Sequence, residues 1–296
     1  MKSARAICVS RDAQIQGRVQ ATLAGTGVVV QTCEDLPEDT SDLALVVVDR
    51  ATRQLAGDML RSLGVPVVVV GDDLDDEGLI QLMLDAPVSH HVEDPSDRDL
   101  GITSEKLASG DLFGLEKYVA HGVGERVIAD DNDKRNAIGE VCAWAESIGA
   151  RWPIVYRLAC VVDELLMNAL YDTPGAQRKS APALVRDRQA VLRWGADDQT
   201  IAVSVGDNFG ALRQRDVIDN VRRARQERGK PQGDSESPRG AGLGLYLVVA
   251  NVTSLVINVE VGRRTEVVCL FDRATVGQRA VSAVRSLHVF RAAAET

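Results

Sequence analysis

At 296 residues, with 45% hydrophobic and 26% charged side chains, the chain is long enough for about two domains of ordinary size, each with its own core. Its longest apolar runs, such as Leu43 to Val48 and Val65 to Val70, are strand-length and far short of a membrane span, and Met1 to Arg11 lacks the apolar core of a signal peptide. A cytoplasmic protein is therefore expected. The net charge of −9 is uneven: residues 1–100 carry 8 Lys and Arg against 18 Asp and Glu, and residues 101–296 carry 26 against 25. So acidic a first third repels nucleic acid and membranes, which are excluded as its partners, and the asymmetry itself suggests two domains.

Residues 1–97 alternate short β-rich runs with amphipathic or polar stretches. Arg5–Ser10, Val28–Thr32, Ala44–Asp49, Val67–Val70 and His90–Val92 are the strand candidates, and Ala13–Ala24, Leu55–Leu63 and Leu79–Leu84 the helical intervals. The apolar runs are continuous, not alternating, which suits strands covered on both faces with helical crossovers between them. The expectation is an α/β domain with a doubly wound parallel sheet. Asp49 closes the third strand, at the carboxyl edge where such sheets place their sites. It is either a plain polar strand end or a phosphoacceptor.

This order, with an Asp at that place, resembles the receiver domains of two-component signalling. The resemblance is incomplete. Ser10-Arg11-Asp12 stands where receivers carry an acidic pair for Mg²⁺, Gly71 where they carry Thr or Ser, and Asp94-Pro95 where they carry a Lys before a proline. Phosphotransfer to a carboxylate needs the metal to screen charge and the lysine to hold the product. A degenerate receiver, able to bind a partner or dock on its neighbour, is what remains.

The polar run Pro95 to Asp111 marks a boundary, with residues 98–130 as connector and entry helix, including a helix over Asp111–Ala120. Apolar residues at helical spacing then predict a helix from Asp131 to Ile148, closing at Gly149. His121 lacks the acidic neighbour of a histidine phosphorylation box, and it, His90, His91 and His288 are expected at the surface or at caps. Cys8, Cys33, Cys142, Cys160 and Cys269 form no C-x-x-C pair and read as buried free thiols.

Three stretches between 131 and 296 carry chemistry. Between Tyr156 and Tyr171 runs a strongly apolar helix on which Glu164 and Asn168, four apart, project from one face. An amide oxygen and a carboxylate so placed suit Mg²⁺ and a general base. Next, Thr200 to Val205 alternates as a half-buried strand and turns at Gly206-Asp207-Asn208-Phe209-Gly210. Asp207 there is a candidate acceptor for an exocyclic amine, or an ordinary Asp-Asn turn. Last, Arg239-Gly240-Ala-Gly242-Leu243-Gly244-Leu passes from polar loop into an apolar helix, a place where backbone N–H groups favour phosphate. A dinucleotide fingerprint is excluded there because hydrophilic loop precedes Gly240 where that motif needs a strand, even though Glu260 falls at the distance of a ribose-binding acid.

In this order, Glu164/Asn168, Asp207/Gly210 and Gly240-x-Gly242-Leu243-Gly244 resemble the N box and the two glycine boxes of the GHKL ATP-binding superfamily of gyrase, histidine kinases, MutL and the anti-sigma-factor serine kinases. The resemblance covers roughly residues 130–275. It implies an α/β sandwich with helices on one face of a mixed sheet, ATP between the helices, and a basic lid over 211–239 from which Arg239 is the first candidate to reach phosphate. Thr265, in the strand pair Leu255–Val261 and Thr265–Phe271, matches a threonine that reaches the phosphates. The first glycine box departs from the family pattern, since Phe209 stands where a glycine usually backs the adenine.

The resemblance implies a signalling regulator binding ATP and Mg²⁺, in which a receiver-like domain (1–97) controls a histidine-kinase-like domain (131–296). The serine kinase group is the nearer analogy: Glu164 would take a proton from a Ser or Thr hydroxyl of a partner of sigma-factor, anti-anti-sigma or response-regulator type, while Asn168 holds Mg²⁺. Simple ATP hydrolysis ranks below it. The alternative is a non-catalytic adaptor that binds a partner in a nucleotide-dependent way. The apolar run Val281–Phe290 is expected to pack on the receiver-like domain or on a second copy of the chain.

Overall fold

The computed structural model describes residues 4–40, 42–71, 76–84, 88–171, 189–219, 222, 243–274 and 284–292. They are α/β and fall into two compact units, 1–112 with 285–289, and 113–284 with 290–296. No described helix is long and apolar enough to cross a membrane.

The first unit contains β1 (Ala4–Val9), α1 (Ala13–Leu23), β2 (Val28–Cys33), β3 (Leu43–Asp49), α2 (Arg50–Leu55), α3 (Gly57–Ser62), β4 (Val67–Val70), α4 (Asp76–Leu84), β5 (Val88–Val92) and α5 (Arg98–Ser109). Its strands run parallel in the order β2-β1-β3-β4-β5. Both faces of the sheet are buried: Ala6, Cys8, Leu45, Val47 and Val68 pack with Val19 and Leu23 of α1 and Leu100 of α5, while the alternate residues Ile7, Val46, Val48 and Val67 are equally inaccessible. The continuous apolar runs follow from that double covering.

Three expectations are corrected in this unit. The predicted helix Leu55–Leu63 is two short helices that meet at Ala56. Arg98–Ser109, expected in a connector, is α5 of the first unit, capped by Asp97 and closed by Gly110 at φ 73°. The boundary lies at Leu112 because the apolar side of α5 is needed to cover the sheet.

The histidines also depart from their expected places. His90, His91 and His288 are buried, not superficial. The C-terminal strand β11 (Ser286–Ala292) pairs antiparallel with β5, Ser286 opposite Val92 and His288 opposite His90. Residues 285–289 thus belong to the first unit, while 281–283 of the run expected to pack on it lie outside the described residues. Around it lies a polar core: Ser286 donates to Asp99, Thr103 bonds His288 Nδ1 at 3.3 Å, and the His90 and His288 rings stand 5.6 Å apart.

The second unit begins with a 3₁₀ turn (Leu115–Lys117) where a helix over 111–120 was expected. Gly114, at φ 113°, breaks the helical path. Then follow β6 (His121–Ile128), α6 (Asp131–Ser147), α7 (Trp152–Tyr171), β7 (Ala190–Ala196), β8 (Thr200–Asp207), α8 described over 214–219, α9 (Leu243–Asn251), β9 (Ser254–Glu260) and β10 (Arg264–Asp272). Strands β6 to β10 lie in the order β9-β10-β8-β7-β6, every ladder antiparallel. The described strands of the chain are thus mixed, as expected, with parallel ladders among β1 to β5 and antiparallel ones among β6 to β10. The tight turns at 197–199 and 261–263 join neighbours that must run oppositely. Helix α7 packs between α6 and α9 and over β7 and β8.

Candidate functional site

Helix α7 is held by its apolar positions. Ile154, Leu158, Val161, Val162, Leu165, Leu166 and Ala169 are buried and leave a strip of half-buried polar groups between them. Two side-chain clasps set its rotation. Lys134 of α6 donates to Asp163 at 2.7 Å and lies 3.2 Å from Met167 Sδ, and Tyr171 donates to Asp131 at 2.6 Å. Partial burial and that bond push the Tyr171 phenol up to about 12. With Asp163 turned toward α6, the next residue, about 100° further round, turns elsewhere.

Glu164 and Asn168 lie against the first turn of α9, at Gly244. A Cβ there would stand 3.3 Å from Glu164 Cδ and 3.9 Å from Asn168 Oδ1, and it would overlap Glu164 Oε2. Glycine is therefore what lets the helix start approach the carboxylate and the amide. Two of the three sequence stretches meet here. Leu243 opens α9, while Arg239, Gly240 and Gly242 lie outside the described residues.

The third stretch meets β10. Asp207 is the last residue of β8 and stands directly opposite Thr265 across an antiparallel ladder, which puts their Cβ atoms within roughly 5.5 Å on one face. Asp207 Oδ1 accepts from Phe209 N at 2.8 Å, closing the turn. The Thr265 hydroxyl is buried, the residue 3% exposed, and finds no hydrogen-bond partner among the described residues. A lone buried hydroxyl is costly. Thr265 thus sits beside the turn aspartate, where its neighbour is the group considered for a base.

Gly210 has a local task. At φ 57° it accepts from Gly262 N at 3.1 Å, and a Cβ there would strike the backbone of Glu260 and come within 2.8 Å of Gly262 N and 2.7 Å of Arg263 N. The loop after β8 is seated on the β9–β10 turn through this residue. Glu260 accepts from Arg263 and, at 2.7 Å, from Arg264.

Asp49 is engaged on both oxygens. Ser10 donates to Oδ2, and Thr52 N donates to Oδ1 at 2.6 Å as Asp49 caps α2. Burial, with Cys33 and Asp49 nearby, pushes the Cys8 thiol up to about 12. All five cysteines are free thiols, Cys8 and Cys269 buried as expected but Cys33, Cys142 and Cys160 only half-buried. No group of three or more His, Cys, Asp and Glu with metal-binding geometry occurs among the described residues.

Sequence reasoning did not find the Lys134–Asp163 and Asp131–Tyr171 clasps, which join residues 29 and 40 positions apart. It also missed Glu266, buried in β10, although a carboxylate in so apolar a strand was a visible signal. No protein-family model matches the chain, and no curated protein matches it.

Proposed function

We propose that the second unit binds ATP with Mg²⁺ and works as a kinase-like signalling module of the GHKL type, under control of a first unit that resembles a receiver. The observation that carries this reading is the packing of Gly244 against Glu164 and Asn168. It brings a helix start after a glycine-rich stretch to a carboxylate and an amide. The Thr265 hydroxyl, expected at the phosphates, stands opposite Asp207 and in this reading serves the base instead, because an adenine amine and ring nitrogen need an acceptor and a donor side by side.

The donor set fits magnesium. Mg²⁺ keeps most of its shell from phosphates and water and takes few protein oxygens, so the single amide oxygen of Asn168 suffices and a cluster of acids is not required. Bound there, the ion would screen charge between the β- and γ-phosphates. Glu164, one turn away, would accept the proton of an attacking Ser or Thr hydroxyl on a partner protein of sigma-factor, anti-anti-sigma or response-regulator type. Asp207 would accept from the adenine amine, and Arg239, which lies outside the described residues, remains the first candidate among the basic residues of 211–239 to meet the phosphates. With both its oxygens engaged, Asp49 makes the first unit a binding or docking module in this reading, not a phosphoacceptor.

A second reading, a non-catalytic adaptor, is favoured by Gly210. Its backbone is occupied by the β9–β10 turn, so the base would be seated without the usual glycine support. Thermal melting with ATP and Mg²⁺ tests binding: a ligand at a hundred times its Kd adds about 2.7 kcal/mol. Labelled ATP with candidate partners then separates the two readings. Transfer that is lost in Glu164→Ala supports the kinase, tight binding with neither transfer nor hydrolysis supports the adaptor, and no melting shift overturns both.

A further inference from the structure

Three consecutive residues of β10 face two different tasks. Thr265 presents its buried hydroxyl beside Asp207. Its neighbours hold the segment with which the chain enters the second unit. Arg264 places its guanidinium 3.8 Å from the centre of the Phe113 ring. Glu266 accepts from Gly114 N at 2.9 Å and from Asn258 Nδ2 at 3.0 Å, in a carboxylate site that is 8% exposed. By strand alternation Thr265 lies on one face of the sheet and Glu266 on the other.

The segment is fixed from its own side as well. Gly114 adopts φ 113°, with the Glu116 carboxylate folded against it, and Glu116 accepts from Arg193 of β7 at 3.0 Å. Undocking residues 113–117 would take the Gly114 N donor from the Glu266 carboxylate, leaving it the Asn258 amide, and release Arg264 from its stack. Removing one partner of a buried charge-assisted bond costs the desolvation of what stays behind. The strand would have to shift to bring Glu266 to water, and Thr265, one residue away on a stiff ladder, would shift with it.

We propose that residues 113–117 are a clamp on β10, with Phe113 acting through Arg264 and Gly114 through Glu266 as positioning groups for Thr265, so that docking of this segment and binding of nucleotide are one coupled equilibrium. The proposal rests on the nucleotide reading above and adds its regulation. The clamp directly continues the chain from Leu112 of the first unit, so a partner that pulls on that unit changes nucleotide affinity through it. Coupling between two equilibria is reciprocal. Nucleotide must therefore tighten the clamp by the same factor as the clamp tightens nucleotide.

The test uses the full chain. Hydrogen exchange of the segment 113–117 is followed with and without ATP and Mg²⁺, and the ATP Kd is measured for the parent, Phe113→Ala, Phe113→Tyr and Glu266→Gln. The expected result is exchange at the Gly114 amide slowed about 5-fold or more by ATP, a Kd raised by a similar factor in Phe113→Ala and Glu266→Gln, and recovery in Phe113→Tyr, which keeps the stack. Exchange on the parent needs no variant to fold. If ATP stabilises the parent yet leaves exchange at 113–117 unchanged, and Phe113→Ala binds within about twofold of the parent, the clamp proposal is overturned while the nucleotide reading stands. If ATP leaves the parent's melting unchanged, the nucleotide reading fails and the coupling fails with it.

Discussion

Acidification should dismantle the part of the first unit where β11 lies on β5. Burial, helped by the nearby Lys106 charge, pushes the His90 imidazole down to about 3. Burial takes His91 to about 4 against the pull of its bond to the Gly71 carbonyl, and drives His288 well below its ordinary value, with His90 and Lys106 adding to the effect. In each case the folded protein holds the neutral ring and the unfolded chain binds the proton first. Stability is therefore full above the ordinary value of 6.5 and falls as pH drops from there toward the depressed folded values. At about pH 5, a histidine that stays neutral when folded loses about 2 kcal/mol, and three lose about 6 kcal/mol. Asp97, whose carboxyl is raised by burial and by Asp99, works in the opposite sense and limits the loss.

A domain holds roughly 5–15 kcal/mol in total, so the pairing of β5 with β11 should open well before pH 4. Hydrogen exchange of residues 88–92 and 286–292 at about pH 7 and pH 5, corrected for intrinsic rates, measures this. His288→Gln and His90→Gln should each remove about a third of the difference between the two pH values, whatever they do to stability at neutral pH. Protection that is the same at both pH values in the parent, or a difference that both variants leave intact, would refute the assignment of this stability to the buried rings.

Thr265→Val deletes a hydroxyl that has no partner among the described residues; it should leave the melting temperature unchanged or raise it by the equivalent of about 1 kcal/mol, while weakening ATP roughly tenfold. Loss of stability without loss of affinity would show that the hydroxyl serves the fold. Gly244→Ala meets only the movable end of Glu164, so the protein should fold and melt near the parent temperature, but with Glu164 displaced any phosphoryl transfer should drop by about 10²-fold. Calorimetry paired with a transfer assay separates the two effects. Gly210→Ala meets backbone and carries a positive φ, so no side chain can yield; a loss of about 3 kcal/mol is expected in denaturant unfolding. A loss under about 1 kcal/mol would mean that the β9–β10 turn is not seated as described.

Periodicity and punctuation already specified the elements that stand on local physics. Continuous valine runs predicted β3 and β4, the apolar strip of α7 predicted a buried helix with Glu164 and Asn168 on one side, and Gly149 at φ 81° ends the α6 helix where it was expected. What the sequence left undecided depends on partners distant in the chain. Nothing local says that Gly114 N binds Glu266, 152 residues away, or that His288 lies beside His90 and Thr103, because even where an apolar strand betrays a buried side chain, its partner is not written nearby. The helix expected over 111–120 was overridden for the same reason: the backbone at Gly114 turns aside to reach a carboxylate on another strand. Side-chain pattern determined which segments are helix and strand. Only the tertiary structure decided which polar groups are buried together, since desolvation is felt only once the chain has closed around them.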